Sequence, residues 1–224
     1  MLETVHRRYQ GSCVMLMSID SRESSFLGTA FLVHSDGLLL TSAHIIPEGR
    51  KLGIVSPMHE GPFVPLTMDH VVPVPVEVAA RDDKRNIAVL KIIPDLGILV
   101  PDHIIGNAAD TPEGTALMTL GFSFAHYRLH SLITLQSVLS AKVRTANGTN
   151  ILLFDNRVHS GDIGGPVVNG KDERIVGIIA GMFDPADMLQ DEHRSQYSLS
   201  TTISQAVSIE YGLEMIRNLG LEVL

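Results

Sequence analysis

Apolar residues in this chain come in short, β-branched runs that Gly, Pro and Asp repeatedly interrupt. Runs of that length with those punctuators read as strands, and many short strands at regular spacing close into barrels. The pattern predicts strands over Ser12–Ile19, Phe26–Val33, Leu38–Ser42, Lys51–Ser56, Val71–Ala80 and Ile87–Ile93. A connecting stretch follows from Pro94 to about Pro112, punctuated by Pro94, Gly97, Pro101 and Gly106. A second set is predicted over Thr115–Gly121, Leu132–Val143, Asn150–Phe154, Pro166–Asn169, Arg174–Ala180 and Tyr197–Thr201. The chain thus divides into a first lobe over residues 1–95, a link over 96–112 and a second lobe over 113–224.

From Thr202 to Asn218 the period changes. Ile203, Ala206, Val207, Tyr211, Met215 and Ile216 fall near one stripe at helical spacing, and Gly220 sits just past the end. The predicted fold is all-β, two six-stranded antiparallel barrels, with a C-terminal α-helix packed on the second. No internal repeat or low-complexity segment is visible. The pattern runs to Leu224 and leaves no room in this sequence for an accessory peptide-binding domain.

Composition narrows the partners. Among 224 residues, 45% are hydrophobic and 19% charged, which is the balance of a globular protein and not of a disordered one. The net charge of -8 argues against nucleic acid, whose binding rests on clustered Lys and Arg. The longest apolar runs, such as Ile175 to Met182, fall far short of the roughly 20 residues of a membrane span. Met1 to Gln10 lacks a secretory apolar core, so no membrane association is expected. The single cysteine, Cys13, lies in an apolar run, excludes an intrachain disulfide and reads as a buried structural thiol. Its isolation leans toward a bacterial-type or cytoplasmic setting. The charged run from Asp184 to Arg194, with Pro185, reads as an exposed loop.

Three segments carry candidate chemistry: Gly28-Thr-Ala-Phe-Leu-Val with Leu40-Thr-Ser-Ala-His44, Asn86-Ile-Ala-Val-Leu-Lys91, and Gly161-Asp-Ile-Gly-Gly-Pro166. In order and spacing they resemble the trypsin-like, chymotrypsin-fold serine peptidases, closest to the bacterial HtrA-type branch. Leu117-Met-Thr-Leu-Gly-Phe122 and Arg174-Ile-Val-Gly-Ile-Ile179 extend the resemblance, which spans about residues 10 to 205. The family's third segment reads Gly-Asp-Ser-Gly-Gly-Pro or Gly-Asn-Ser-Gly-Gly-Pro, and its second begins with Asp. The resemblance therefore puts His44 at the base position, Asn86 at the acid position and Ile163 at the nucleophile position.

These departures bear directly on chemistry. A serine hydroxyl attacks only when a histidine nitrogen accepts its proton, and a carboxylate must hold that histidine's tautomer and stabilise the imidazolium. In serine proteases, exchanging the acid for its amide costs roughly 10⁴-fold in turnover, because the amide favours the wrong tautomer. Isoleucine has no nucleophilic atom, so acyl transfer through position 163 is impossible. Asp82, Asp83 and Ser160 lie near the degenerate positions in sequence. Moving a reactive atom by three or four residues displaces it by several ångströms, whereas productive geometry tolerates about one.

What survives is a set of backbone donors and pocket walls. The resemblance implies an oxyanion hole from the N–H groups of Gly161 and Ile163, which needs no serine side chain. An open turn would let these bind a peptide carbonyl or a carboxylate; alternatively, Ile163 plugs the pocket. His44 is either a relic bonded to Asn86 or a ligand contact. Asp162 needs a partner if buried, with Arg144, Arg157 and local N–H groups as candidates. By resemblance, Ala180, Gly181 and Met182 wall a specificity pocket, with Arg157 either near its base, where it would suit an acidic side chain or a carboxylate, or a solvated surface arginine. His126 and His130 are spaced i, i+4, but no Cys or carboxylate set accompanies them as a metal site would need. Nothing in the sequence calls for a metal or a cofactor.

The expected function is that of a pseudoprotease, a protein- or peptide-binding or regulatory module without catalysis. Two alternatives stand beside it: an active serine endopeptidase with altered or displaced catalytic positions, and a structural subunit with a filled cleft.

Overall fold

Cys13–Ile19, aliphatic on both faces, forms β1 and is buried along almost its whole length. One face, with Val14 and Leu16, fills the barrel interior, and the other, with Cys13, Met15 and Met17, packs in a second apolar cluster outside it. The computed structural model describes residues 2–20, 24–57, 63, 66, 67, 71–185 and 202–222. Five further strands complete the first barrel: β2 (Ser24–His34), β3 (Leu38–Thr41), β4 (Lys51–Val55), β5 (Val74–Asp82) and β6 (Ile87–Ile92). They pair antiparallel in the closed order β1-β2-β3-β6-β5-β4. Register shifts at Leu16/Met17 and Val78/Ala80 interrupt the ladders, the kind of bulge that turns a sheet corner.

The second barrel repeats the plan with β7 (Ala116–Gly121), β8 (Ile133–Arg144), β9 (Asn150–Phe154), β10 (Pro166–Asn169), β11 (Ile175–Met182) and β12 (Ser204–Ser208). Its closed order is β10-β11-β12-β9-β8-β7, again antiparallel. Closure leaves neither sheet an unpaired edge. Each barrel has its own interior, filled by Val14, Leu16, Leu39 and Leu90 in the first and by Leu117, Leu139, Phe154 and Val176 in the second. A third apolar cluster, with Phe31, Leu40, Met118, Leu120 and Phe122 among its members, runs between the barrels and joins them.

The twelfth strand corrects the sequence reading. Ser204–Ser208 was expected to open a helix beginning at Thr202, but it lies between β11 and β9 as a strand. Within it Ser204, Ala206, Val207 and Ser208 are all buried. Burial on both faces erases the two-residue alternation, and the remaining apolar positions mimic a helical stripe. The strand expected over Tyr197–Thr201 and most of the expected 184–194 loop lie outside the described residues. The helix proper, α2, is shorter, Glu210–Asn218. Expected on the second barrel, it packs chiefly on the first, against β6 and β3, with Gly212 so close that an added Cβ would stand 2.8 Å from Leu40 Cδ1.

An N-terminal helix, α1 (Leu2–Tyr9), was not anticipated. Its sequence signal is brief: Val5 and Tyr9 share one face at i, i+4, and Glu3 pairs with Arg7 on the other. Val5 and Tyr9 are both almost completely buried in the inter-barrel cluster. His6 Nδ1 lies 2.6 Å from Thr134 Oγ1 on β8. The Tyr9 hydroxyl donates to the Glu173 carbonyl at 2.6 Å and approaches that of Ile104 at 3.3 Å. Burial pushes the phenol up to about 12, so it remains a donor. Replacing Tyr9 by Phe leaves these carbonyls without their donor and should cost about 1 kcal/mol. Urea unfolding should show a lower midpoint at an unchanged slope.

Candidate functional site in the inter-barrel cleft

The residues marked by sequence come from three separate places. His44 sits in a 3₁₀ turn, Ala43–Ile45, directly after β3. Asn86 precedes β6 with φ 59°, a left-handed conformation that Asn tolerates better than most residues. Ile163 follows a second 3₁₀ turn, Ser160–Asp162, and leads into β10.

Buried hydrogen bonds draw these segments together. Thr29 on β2 is the hub: its N–H donates to the Ile163 carbonyl at 2.9 Å and its hydroxyl to the Gly161 carbonyl at 2.7 Å. The same hydroxyl accepts from Phe122 N–H at 3.1 Å, and Thr29 O accepts from the Thr41 hydroxyl at 2.7 Å. Ser42 Oγ and Gly164 N both donate to the carbonyl of Ile179, at 2.9 and 2.8 Å. The residue two before His44 and the residue one after Ile163 therefore meet at one acceptor.

His44 is exposed and bonded to Asn86 twice: its backbone N–H and its ring Nδ1 each lie 2.9 Å from Asn86 Oδ1. The Asn86 carbonyl in turn accepts from Ala43 N–H at 3.3 Å. Ile163 is half-buried, and its Cδ1 reaches to 3.8 Å from where a Gly181 Cβ would stand. Its side chain thus lies toward the end of β11, where Ala180, Gly181 and Met182 line up.

The turn before Ile163 has a definite shape. Asp162 N–H bonds to the His159 carbonyl at 3.0 Å. Ile163 leaves the turn with φ -58° and ψ 132°.

Asp162 is buried, and its partners are local. Oδ1 accepts from the Ser123 hydroxyl at 2.6 Å and Oδ2 from His159 N–H at 2.8 Å. Of the candidates raised by sequence, the backbone donor is present, whereas Arg144 bonds instead to Asn150 and Arg157 is exposed. Ser123 gave no sequence signal, being one serine in the loop after β7. Burial raises the Asp162 carboxyl above its ordinary value, only partly opposed by the Ser123 and His159 hydrogen bonds.

The pocket wall and the loop beside it are linked through Ser204, which pairs with Met182 across β11 and β12. Its hydroxyl accepts from Val158 N–H at 3.1 Å and donates to the Asn156 carbonyl. Asn156 Nδ2 is buried without a hydrogen-bond partner among the described residues. Arg157 is exposed in this loop, and its inward groups are Asn156 and Val158. His126 packs its ring edge-on to Phe26 at 4.8 Å, and burial lowers both His126 and His130. Among the described residues no group of three His, Cys, Asp or Glu side chains is arranged to hold a metal ion.

Comparison with known proteins matches residues 28–178 to the family of the trypsin-like peptidase domain. The chain is 28% identical over 155 residues to a protein named probable periplasmic serine endoprotease DegP-like from Chlamydia pneumoniae, covering 67% of this chain and 28% of that protein. It is 28% identical over 158 residues to serine protease HTRA2, mitochondrial, from Bos taurus, covering 67% of this chain and 30% of the other. The chain thus spans about three tenths of the length of these relatives. Among solved structures, HtrA-type protease AlgW with decapeptide matches with a TM-score of 0.71 at 16% identity, over 98% of this chain and 67% of that one. The same protease with tripeptide matches with a TM-score of 0.70 at 18% identity, over 98% and 63%. Periplasm and mitochondrion are the compartments in the relatives' names, so the cytoplasmic setting expected from the lone cysteine finds no support there. No helix among the described residues is long and apolar enough to cross a membrane.

The buried Asp162 has a pH signature. Its folded value is raised, so between the ordinary 3.8 and that raised value the folded state holds more protons than the unfolded state. Stability therefore falls as pH rises through this window and is level above it. Asp162→Asn keeps an acceptor for His159 N–H and a donor for Ser123 while removing the charge. Denaturation midpoints at a series of pH values from 3 to 7 should show this fall in the native chain and a smaller one in the variant.

Proposed function

The chain belongs to the trypsin-like peptidase family and is a homologue of HtrA-type serine proteases, and from that premise we propose that it is a pseudoprotease, a peptide- or protein-binding module that does not cut. One observation carries this reading. Ile163 stands where the resemblance puts the nucleophile, its carbonyl held by Thr29 and its side chain turned toward Gly181. No hydroxyl or thiol occupies that place, so the covalent half of serine-protease chemistry has no atom to run on. Asn86 at the acid position supplies no negative charge to stabilise an imidazolium.

The binding part of the proposal rests on the end of β11 beside Ile163, where Ala180–Met182 run past the residues that pair with β10. Met182 is exposed and Gly181, at φ 133°, carries no side chain, so an extended segment can approach the backbone closely. The AlgW structures that share the fold are described with peptides. A filled cleft, with a purely structural role, is the second reading. The approach of Ile163 Cδ1 to Gly181 favours it.

A serine-directed fluorophosphonate probe separates this proposal from an active enzyme. No labelling is expected, and specific labelling of a cleft serine overturns the pseudoprotease reading. A mixed peptide library then compares the native chain with Asn86→Asp, Ile163→Ser. Binding without cleavage by the native chain, and cleavage by the variant, is the expected result. Loss of all peptide binding in the native chain with tighter binding after Ile163→Gly selects the filled cleft.

A further inference from the structure

We infer that Asn86 is a positioning residue that holds His44 in one tautomer, proton on Nδ1 and lone pair on Nε2, so the base half of the site stands ready although its nucleophile is gone. The inference rests on the reading above that His44, Asn86 and Ile163 occupy the triad positions. It goes further by separating the fate of the two halves.

The hydrogen bonding fixes the chemistry. The backbone N–H of His44 and the ring Nδ1 meet the same atom, Asn86 Oδ1, each at 2.9 Å. A backbone N–H only donates, so the atom opposite it must accept, and that sets the amide with its oxygen toward His44 and its NH₂ turned away. An Nδ1 lone pair would then face an oxygen lone pair. Nδ1 carries the proton instead, and the lone pair falls to Nε2 on the far edge of the ring. This is the tautomer a general base needs. The loss ordinarily caused by an amide at the acid position comes from the opposite arrangement, in which the NH₂ faces the ring. Here a backbone donor has already claimed the oxygen side.

The surroundings keep Asn86 in place. Its left-handed φ of 59° and the Ala43 N–H bond to its carbonyl clamp it to the His44 turn from main chain and side chain together. Arg85 beside it bonds to Asp82 at 3.4 Å and Glu214 at 3.3 Å, and lies over the Tyr211 ring at 4.5 Å. Asn147 Nδ2 donates to the Lys84 carbonyl at 3.1 Å. The turn that carries Asn86 is therefore tied to α2 and to the second barrel, and its amide is held by more than its own two bonds.

A thiol exposes the consequence, because it yields its proton more readily than a hydroxyl and asks less of a base that lacks a carboxylate behind it. Because the resemblance puts position 163 opposite the base, the thiol of Ile163→Cys is expected to give its proton to His44 Nε2, and the thiolate to displace iodide from iodoacetamide and form a thioether. Cys13 supplies an internal control, since complete burial pushes that thiol up to about 12 and leaves it unreactive.

The test has two arms. Nitrogen-15 NMR of neutral His44 in the native chain should show a protonated Nδ1 and an unprotonated Nε2. Asn86→Ala should move the signal toward the Nε2–H form, and Asn86→Asp should restore the native pattern. An Nε2–H or averaged signal in the native chain overturns the inference, whatever peptides the cleft binds. In the second arm, Ile163→Cys should be alkylated at neutral pH on the order of tenfold faster than Ile163→Cys with Asn86→Ala. Equal rates overturn it as well, while absence of peptide binding with the tautomer intact counts against the binding module alone.

Discussion

The turn Gly161–Gly165 is pressed so tightly between the barrels that side chains cannot fit at three of its five positions, and the rest of the site follows from this. A Cβ on Gly161 would stand 2.1 Å from the Phe122 carbonyl, and one on Gly165 2.3 Å from that of Leu120. Gly164 is more constrained still, with φ 87° and 2.2 Å to both Thr29 O and Thr41 Oγ1. Such proximity lets buried Thr29, Thr41 and Ser42 satisfy backbone groups that would otherwise be stranded inside the interface. The motif is thus first a packing device. Its glycines and its register are required whether or not position 163 carries a hydroxyl, which explains how an isoleucine can sit there with the surrounding architecture complete.

The same interface sets what the cleft can do electrostatically. Asp162 is buried opposite Ser123 and its own turn, so its carboxylate holds the 3₁₀ conformation from inside. On the other side of the cleft, α2 closes over the Asn86 turn through Arg85, Glu214 and Tyr211. These partly exposed pairs contribute little stability individually, but they join the acid-position turn of one barrel to the other barrel. The two sides of the cleft are therefore maintained by separate sets of contacts.

Much of the architecture was legible because it follows from local alternation. Eleven of the twelve strands lie close to where apolar runs and Gly or Pro punctuation put them, with ends shifted by a few residues at β5 and β2. Ser204–Ser208 escaped because a strand buried on both faces loses its period. Leu2–Tyr9 escaped because eight residues with only Val5 and Tyr9 facing the core give too short a stripe. In the site, His44, Asn86 and Ile163 were marked by motif alone, whereas Ser123, Asn156 and Ser204 carried no pattern. Each of these three acts through hydrogen bonds to residues distant in sequence.

By itself the sequence determined the class of fold, the family resemblance and the chemical fact that position 163 has no nucleophile, since these depend on residue identity and short-range spacing. Only the tertiary structure decided the double contact of Asn86 Oδ1 with His44 and the partners of Asp162. The physical reason is directional. Hydrogen bonds depend on distances of tenths of an ångström and on angles, and those are set where chain segments over a hundred residues apart, such as Thr29 and Gly161, are brought face to face.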